Sequence, residues 1–380
     1  MNILLINPLD ALDDVLSHIA TNLYIVKEIN SMLECYEVKT SKRCLLLKLP
    51  KNNILRIIIK YTMYIYIFLK LANKLHVIIV NQESPEPLIT ILLAKISGKK
   101  VIERIGGSRS YLIYFTLHSP VPLTSKIFSI FALASLRFSL IICDALVLNC
   151  NALLHENLYR MHRNKIFIIS NSPSEVFYNT FKIIKEYNER NFVVGYVAAF
   201  TLAKGVVSLV RAAEIVVRKN PSVKFLFIGD WRRSSPPFLG LLLKKIVKDE
   251  PNIIFIEKIP HYKVPEYMNE MRLLVLPSYT EGTPKVVLEA MACGTPVLAT
   301  AVGCIPEVLA NGEYGYITLT RDPENLAEEI LKALFNARNE SLSKKIRNYV
   351  KIIYNFNESL KSWLELLKEL DKYARKNRAR

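Results

Sequence analysis

The sequence predicts an α/β protein built of two successive doubly wound, Rossmann-like halves. Three observations carry that expectation. Short, continuous apolar runs alternate with helix-length segments, the pattern of a parallel sheet covered on both faces. The alternation pauses at Asn171-Ser172-Pro173-Ser174 and the polar stretch 182–191, then restarts. A chain of 380 residues suits two domains, at roughly 100–200 residues each.

In the first half, segments 2–6, 76–80, 100–105, 145–148 and 165–169 read as buried strands, with helical patterns between most of them. In the second half, 192–197 reads as a strand. Segment 205–219 reads as a helix with Val206, Leu209, Val210, Ala213 and Val217 on one face. Segment 224–228 is a strand ending at Gly229-Asp230, and 253–256 and 273–276 are further strands. A helix is expected over 284–293, with Thr283 as N-cap, Pro284 at the first helical position and Gly294 just past the end. Segment 297–300 is another strand. From Tyr354 onward the tail is helical, with Phe356, Leu360, Trp363, Leu364 and Leu367 on one stripe. The expected organisation is a Rossmann-like domain over 1–180, a second Rossmann-like domain over 190–350, and a helix over 353–380 that returns to the first. Two such halves face to face would make a cleft beyond the carboxyl ends of their strands, the default place for an active site.

Composition narrows the function. Hydrophobic residues make up 51% and charged ones 22%, a globular rather than a disordered balance. Only 12 glycines and no repeat period exclude collagen-like and solenoid folds. The net charge of +17 favours anionic partners: phosphates, acidic lipid or nucleic acid. Cys35, Cys44, Cys143, Cys150, Cys293 and Cys304 form no CxxC pair and no zinc spacing, and are expected as buried free thiols of a cytoplasmic chain. His18, His76, His118, His155, His162 and His261 are scattered, so neither metal nor triad chemistry is expected.

The start, Met-Asn-Ile-Leu-Leu-Ile-Asn-Pro, lacks the basic region of a signal peptide. No uncharged apolar run reaches the roughly eighteen residues of a spanning helix. Segment 54–75 sets Arg56, Lys60, Lys70 and Lys74 into isoleucine- and tyrosine-rich sequence. It reads equally as an interfacial helix, its lysines reaching lipid phosphates, or as a core helix. Segment 127–148, with Arg137 and Asp144, reads as core. Peripheral attachment to an acidic inner membrane face is the expectation that follows from 54–75.

The chemistry concentrates in Leu276–Val297, LPSYTEGTPKVVLEAMACGTPV. A strand ends at Pro277, a small-residue loop carries Glu281, and a helix opens at Gly282-Thr283-Pro284. The first amides of that helix form an anion site strengthened by its dipole. Glu289 is a second carboxylate on the same helix. A diphosphate at the helix start and polyol hydroxyls on two carboxylates would together describe one ligand. Taken alone, two glutamates eight apart would read as a helix-start carboxylate and a solvated one.

Their surroundings decide otherwise. Glu281 to Glu289, followed by Ala290-Met291-Ala292-Cys293-Gly294-Thr295-Pro296-Val297, resembles the E-x7-E signature of glycosyltransferase family 4, of the GT-B fold. The likeness continues through Gly303-Cys304-Ile305-Pro306-Glu307 and Asn311-Gly312-Glu313-Tyr314-Gly315, and upstream through Lys204-Gly205, 225–230 and Asn171-Ser172 with Phe177. The resemblance implies a retaining transfer of a hexose from a nucleoside diphosphate sugar to a glycan or lipid-linked acceptor, as in polysaccharide biosynthesis. It implies no metal ion and no cofactor beyond the nucleotide sugar itself. By the same resemblance Glu281 and Lys204 are catalytic. Glu289 takes the ribose diol, and Gly282, Thr283, Pro284, Lys285 and Val286 hold the diphosphate.

The sequence departs from the family at three places. The family's arginine or serine ahead of Lys204 is replaced by Gly195-Tyr196-Val197-Ala198-Ala199-Phe200. Its glycine-rich first loop is replaced by Asn7-Pro8-Leu9-Asp10-Ala11, and its histidine-glycine by Ile105-Gly106-Gly107-Ser108-Arg109. Gly106, Gly107, Arg232 and Arg233 are candidate cleft-lining residues. Three alternatives stay open: a non-catalytic sugar-nucleotide binder, a nucleotide-sugar epimerase of the same fold, and a polyanion binder. Against the last, no basic-aromatic nucleic-acid module is legible, so no specific nucleic acid is expected.

Overall fold

The computed structural model describes residues 1–6, 16, 20–29, 32–38, 40, 42–49, 53–81, 88–106, 123–173, 177, 185–234, 236 and 238–378. The chain divides into two compact units, Met1–Asn171 with Asn357–Arg380, and Ser172–Phe356.

The first unit holds an eight-stranded sheet: β1 (Asn2–Ile6), β2 (Asn22–Ile29), β3 (Met32–Glu37), β4 (Lys42–Lys48), β5 (Val77–Asn81), β6 (Lys100–Ile105), β7 (Ala145–Leu148) and β8 (Ile166–Ile168). Their order is β4-β3-β2-β1-β5-β6-β7-β8. The sheet is mixed rather than parallel throughout, because β2, β3 and β4 form an antiparallel meander at one edge. Those three strands were missed in the sequence because charged residues interrupt their apolar positions, as in KRCLLLK of β4. An edge meander does not need the unbroken apolar run of a strand buried on both faces.

Three long helices cross over between strands: α1 (Asn53–Leu71), α2 (Leu88–Ile96) and α3 (Leu123–Ile142). Tyr64, Ile67, Phe68 and Leu71 of α1, spaced at three and four, pack with Ile91 and Ala94 of α2. They cover the side of the sheet presented by Leu4, Ile6, Ile78 and Val80, residues two apart on their strands. In α3, Leu136 and Leu140 are buried, but Ile127, Ile130, Phe131, Phe138 and Ile141 are exposed. This corrects the expectation of core for the helical part of 127–148, while 145–148, the strand β7, is fully buried. An apolar helix is not obliged to bury every apolar side, and α3 buries one stripe only.

The second unit is a six-stranded, wholly parallel sheet of β9 (Val193–Val197), β10 (Lys224–Ile228), β11 (Ile253–Ile256), β12 (Leu273–Leu276), β13 (Val297–Thr300) and β14 (Tyr316–Thr318). The order is β11-β10-β9-β12-β13-β14, the doubly wound arrangement. Its longer helices are α4 (Val206–Lys219), α5 (Leu239–Ile246), α6 (Val264–Glu270), α7 (Lys285–Ala292), α8 (Pro323–Leu334) and α9 (Asn339–Ile353). The apolar face of α4, including Val206, Leu209, Val210, Ala213 and Val217, is buried. The last helix, α10 (Phe356–Arg378), buries Trp363, Leu366, Leu367 and Leu370, and its residues from Asn357 group with the first unit.

Cys35, Cys143 and Cys293 are buried and outside any disulfide, whereas Cys150 and Cys304 are disulfide-bonded, which corrects the expectation that every cysteine is a free thiol. Burial pushes the Cys143 and Cys293 thiols up to about 12, so neither carries a thiolate at neutral pH.

One buried cation fastens the start of the second unit to α7. Arg190, 2% exposed, donates from Nη1 to the Met271 carbonyl (3.0 Å) and Thr295 Oγ1 (2.9 Å), and from Nη2 to the Cys293 carbonyl (3.0 Å). The last of these carbonyls lies at the C-terminal cap of α7, where the helix dipole favours a cation. Burial alone pulls the guanidinium pKa down from its ordinary value. Arg190→Ala strands three acceptors and is expected to cost about 3 kcal/mol, since a charged hydrogen bond contributes ~1.5–3 kcal/mol. Urea unfolding followed by circular dichroism checks this. An unchanged midpoint would show that Arg190 is not a fastening.

Candidate active site

The second unit carries both glutamates and the lysine. Parallel pairing of β9 with β12 sets Gly195 opposite Leu274, so the loops leaving their carboxyl ends are neighbours. This is the point where the strand order reverses direction, the usual ligand position in such sheets.

The β9 loop ends in a turn at Leu202–Lys204 and in Gly205, whose φ of +67° is left-handed. A Cβ at Gly205 would lie 2.0 Å from the Pro277 carbonyl oxygen, so only glycine lets the two loops touch. The Tyr279 amide donates to the Ala203 carbonyl at 2.8 Å and ties them again. This bracing delivers Lys204 to Glu281. Lys204 Nζ donates to both carboxylate oxygens, at 2.7 and 2.8 Å, and Ser278 Oγ donates to Oε1 at 2.6 Å. The Glu281 side chain is 5% exposed and that of Lys204 32% exposed. A nearly buried carboxylate is thus held by a partly exposed ammonium.

Two further contacts fix the loop. Gly303 has φ +55°, and a Cβ there would lie 1.8 Å from the Glu281 carbonyl oxygen. The Ser278 carbonyl accepts from Thr300 Oγ1 (2.5 Å) and from Arg321 Nε (3.1 Å).

Helix α7 begins at Lys285, with Pro284 in extended conformation at the N-cap. This corrects the expected cap by one residue: Thr283 stands before the cap and Pro284 outside the helix. The Val287 and Leu288 amides already turn to the Pro284 carbonyl. The Lys285 and Val286 amides precede that ladder and point out of the helix start, as an anion site requires. Gly282, Lys285 and Val286 are half-buried, while Thr283 and Pro284 are buried.

Glu289, 5% exposed, lies one turn further along α7. Its Oε1 accepts from Nε2 of His261 at 2.8 Å. The His261 ring leans on buried Phe177, with centroids 5.5 Å apart. Sequence reasoning did not find His261. It stands 28 residues from Glu289, and no spacing rule joins them. The only signal was its place just after a strand of the doubly wound pattern.

Arg232 lies over the Trp231 ring and pairs with Glu257 Oε1 at 2.5 Å, both side chains exposed. Gly106 ends β6 in the first unit, where its carbonyl accepts from Asn149 Nδ2 at 3.4 Å. Gly107, His118 and residues 7–11 lie outside the described residues, as does the side chain of Arg233.

Comparison with known proteins places this geometry. Residues 179–352 match the family model described as "Glycosyl transferases group 1". The capsular polysaccharide biosynthesis glycosyltransferase CapM of Staphylococcus aureus is 33% identical over 178 residues, 46% of this chain and 45% of CapM. The matches thus span less than half the length of such curated relatives. Over nearly the whole chain the fold is that of GT-B glycosyltransferase structures. A sucrose-phosphate synthase of Thermosynechococcus elongatus superposes with a TM-score of 0.73 at 17% identity, covering 98% of this chain and 100% of that one. Anabaena HepE in complex with UDP-glucose gives 0.67 at 14%, with 98% and 100% covered. Within the group 1 domain, the Lys204–Glu281 and His261–Glu289 pairs are the two ion-pair contacts of the signature glutamates among the described residues.

The second pair predicts a pH signature. The hydrogen bond to Glu289 raises the His261 pKa, against an opposing contribution from burial. A histidine whose folded pKa exceeds its unfolded one stabilises the fold at low pH, and that stabilisation disappears as pH rises through the folded value. The melting-temperature difference between wild type and His261→Gln is therefore expected at about pH 6 and absent by about pH 9. A difference that does not change with pH would mean the pair carries no charge.

Proposed function

We propose that the protein is a nucleotide-sugar glycosyltransferase. It moves a hexose from a nucleoside diphosphate donor to a glycan or lipid-linked acceptor, with retention and without a metal ion. The observation that carries this reading is the Lys204–Glu281 pair, four residues ahead of the amino end of α7. CapM, by name a polysaccharide-building transferase, and HepE, solved with UDP-glucose, support the donor class and the kind of product.

Each group has a role that follows from its chemistry. The Lys285 and Val286 amides and the α7 dipole receive the diphosphate. As the bond from the sugar carbon to the phosphate oxygen breaks, its electron pair stays on the leaving diphosphate. Lys204 and the amides are fixed before that charge appears, which is where preorganised electrostatics lower a barrier most. Glu281, oriented by Lys204 and Ser278, accepts hydrogen bonds from the sugar hydroxyls. Glu289 keeps Oε2 for the ribose diol while His261 engages Oε1.

The two glutamates should separate in experiment. Glu289→Ala removes a charged acceptor from the ribose and is expected to weaken nucleoside diphosphate binding by ~1.5–3 kcal/mol, roughly ten- to hundredfold, by calorimetry. Glu281→Ala is expected to lower turnover far more than nucleotide affinity, with transfer or donor hydrolysis measured across a panel of UDP- and GDP-hexoses. Transfer that survives Glu281→Ala at the wild-type rate would end the assignment.

A further inference from the structure

Helices α1, α2 and α3 of the first unit contain six basic residues (Arg56, Lys60, Lys70, Lys95, Lys126, Arg137) and no acidic one. They are the crossovers β4→β5, β5→β6 and β6→β7, and each moves the same way along the sheet. Right-handed connections that advance in one direction place their helices on one face. The contacts agree: α2 packs against both α1 and α3. The inner sides of α1 and α2 cover the sheet, as described above.

Their outer sides are apolar. Ile58, Leu69, Ile127, Ile130, Phe138 and Ile141 are between 45% and 66% exposed. Single exposed hydrophobics are ordinary, but a run of them over neighbouring helices is a surface built to be covered. Charge says by what. Lys70 and Arg137 are exposed among these residues, and Lys60, Arg56 and Lys126 are half-buried beside them. Of the acidic residues beside this layer, Asp144 is already bonded by Lys95 and Lys100, at 2.8 and 3.0 Å, and Glu103 is buried and accepts from Ser139 Oγ at 2.8 Å. A second copy of this face would bring cations against cations. A layer of anionic headgroups over hydrocarbon matches both components at once. Among the described residues no helix is long and apolar enough to cross a membrane, so the match is to a surface and not to a span.

We propose that the outer face of α1, α2 and α3 docks the protein on an acidic lipid surface, with α3 as the principal inserting helix. The isoleucine and phenylalanine side chains enter the boundary of the acyl region, and Lys70 and Arg137 meet the phosphates. Nothing in this depends on the donor site, so the test uses neither donor nor acceptor.

The experiment is co-sedimentation of the full chain with vesicles of phosphatidylcholine, alone or mixed with phosphatidylglycerol. Binding is expected to the mixed vesicles, at least tenfold above neutral ones, and to fall steeply with added salt. Ile130→Glu with Ile141→Glu should lower binding at least tenfold with an unchanged melting temperature, since both side chains are already in solvent. Lys70→Gln with Arg137→Gln should reduce it several-fold and flatten the salt dependence. Wild-type protein left in the supernatant at low salt would overturn the proposal, as would full binding by the double glutamate variant. Self-association in solution that the glutamates abolish would also overturn it, because the face would then be an interface between copies.

Discussion

The parallel pairing of β9 with β12 is the constraint on which the candidate site depends. Lys204 and Glu281 are 77 residues apart, and neither has a local reason to meet the other. Adjacent strands that end together bring them within hydrogen-bond distance. The missing Cβ of Gly205 then permits the contact that a side chain would forbid. Gly303 does the same on the other side of the Glu281 loop. The result is a carboxylate with little exposure whose charge is balanced before any ligand arrives.

The same economy governs Glu289. A helix residue this deeply buried needs a partner, and His261 supplies one from the turn after β11. Because a histidine can give up its charge near neutrality, the charge of this pair depends on pH. The two glutamates of one motif thus sit in different electrostatic settings. That difference suits the different duties proposed for them.

The first unit follows another logic. Its sheet buries one row of side chains under α1 and α2, and the edge meander of β2, β3 and β4 extends it. The outward residues of α1 and α3 are nearly as apolar as the inward ones. A helix whose only task was to cover the sheet would carry polar residues there. The absence of any acidic side chain from three successive helices also concentrates much of the chain's basic excess at this layer.

Much of the architecture was legible in the residues alone. The apolar strands at 145–148, 273–276 and 297–300 stand where their composition put them, because a strand buried on both faces has few polar positions to obscure it. The glutamates and Lys204 were legible through motif context. Three kinds of feature were not. In the meander β2–β4 charged residues interrupt short apolar runs, and short strands of that kind resemble loops. The pairing of His261 with Glu289 and the fastening by Arg190 join residues far apart in the chain. The outward face of α3 could not be separated from its buried face, because both are apolar and periodicity reports only contrast. Composition and order thus determined the strands, the crossovers and the chemical types at the site. Which side chains meet, and which apolar faces stay in water, was decided by the tertiary structure, since both depend on strand order and packing rather than on neighbours in sequence.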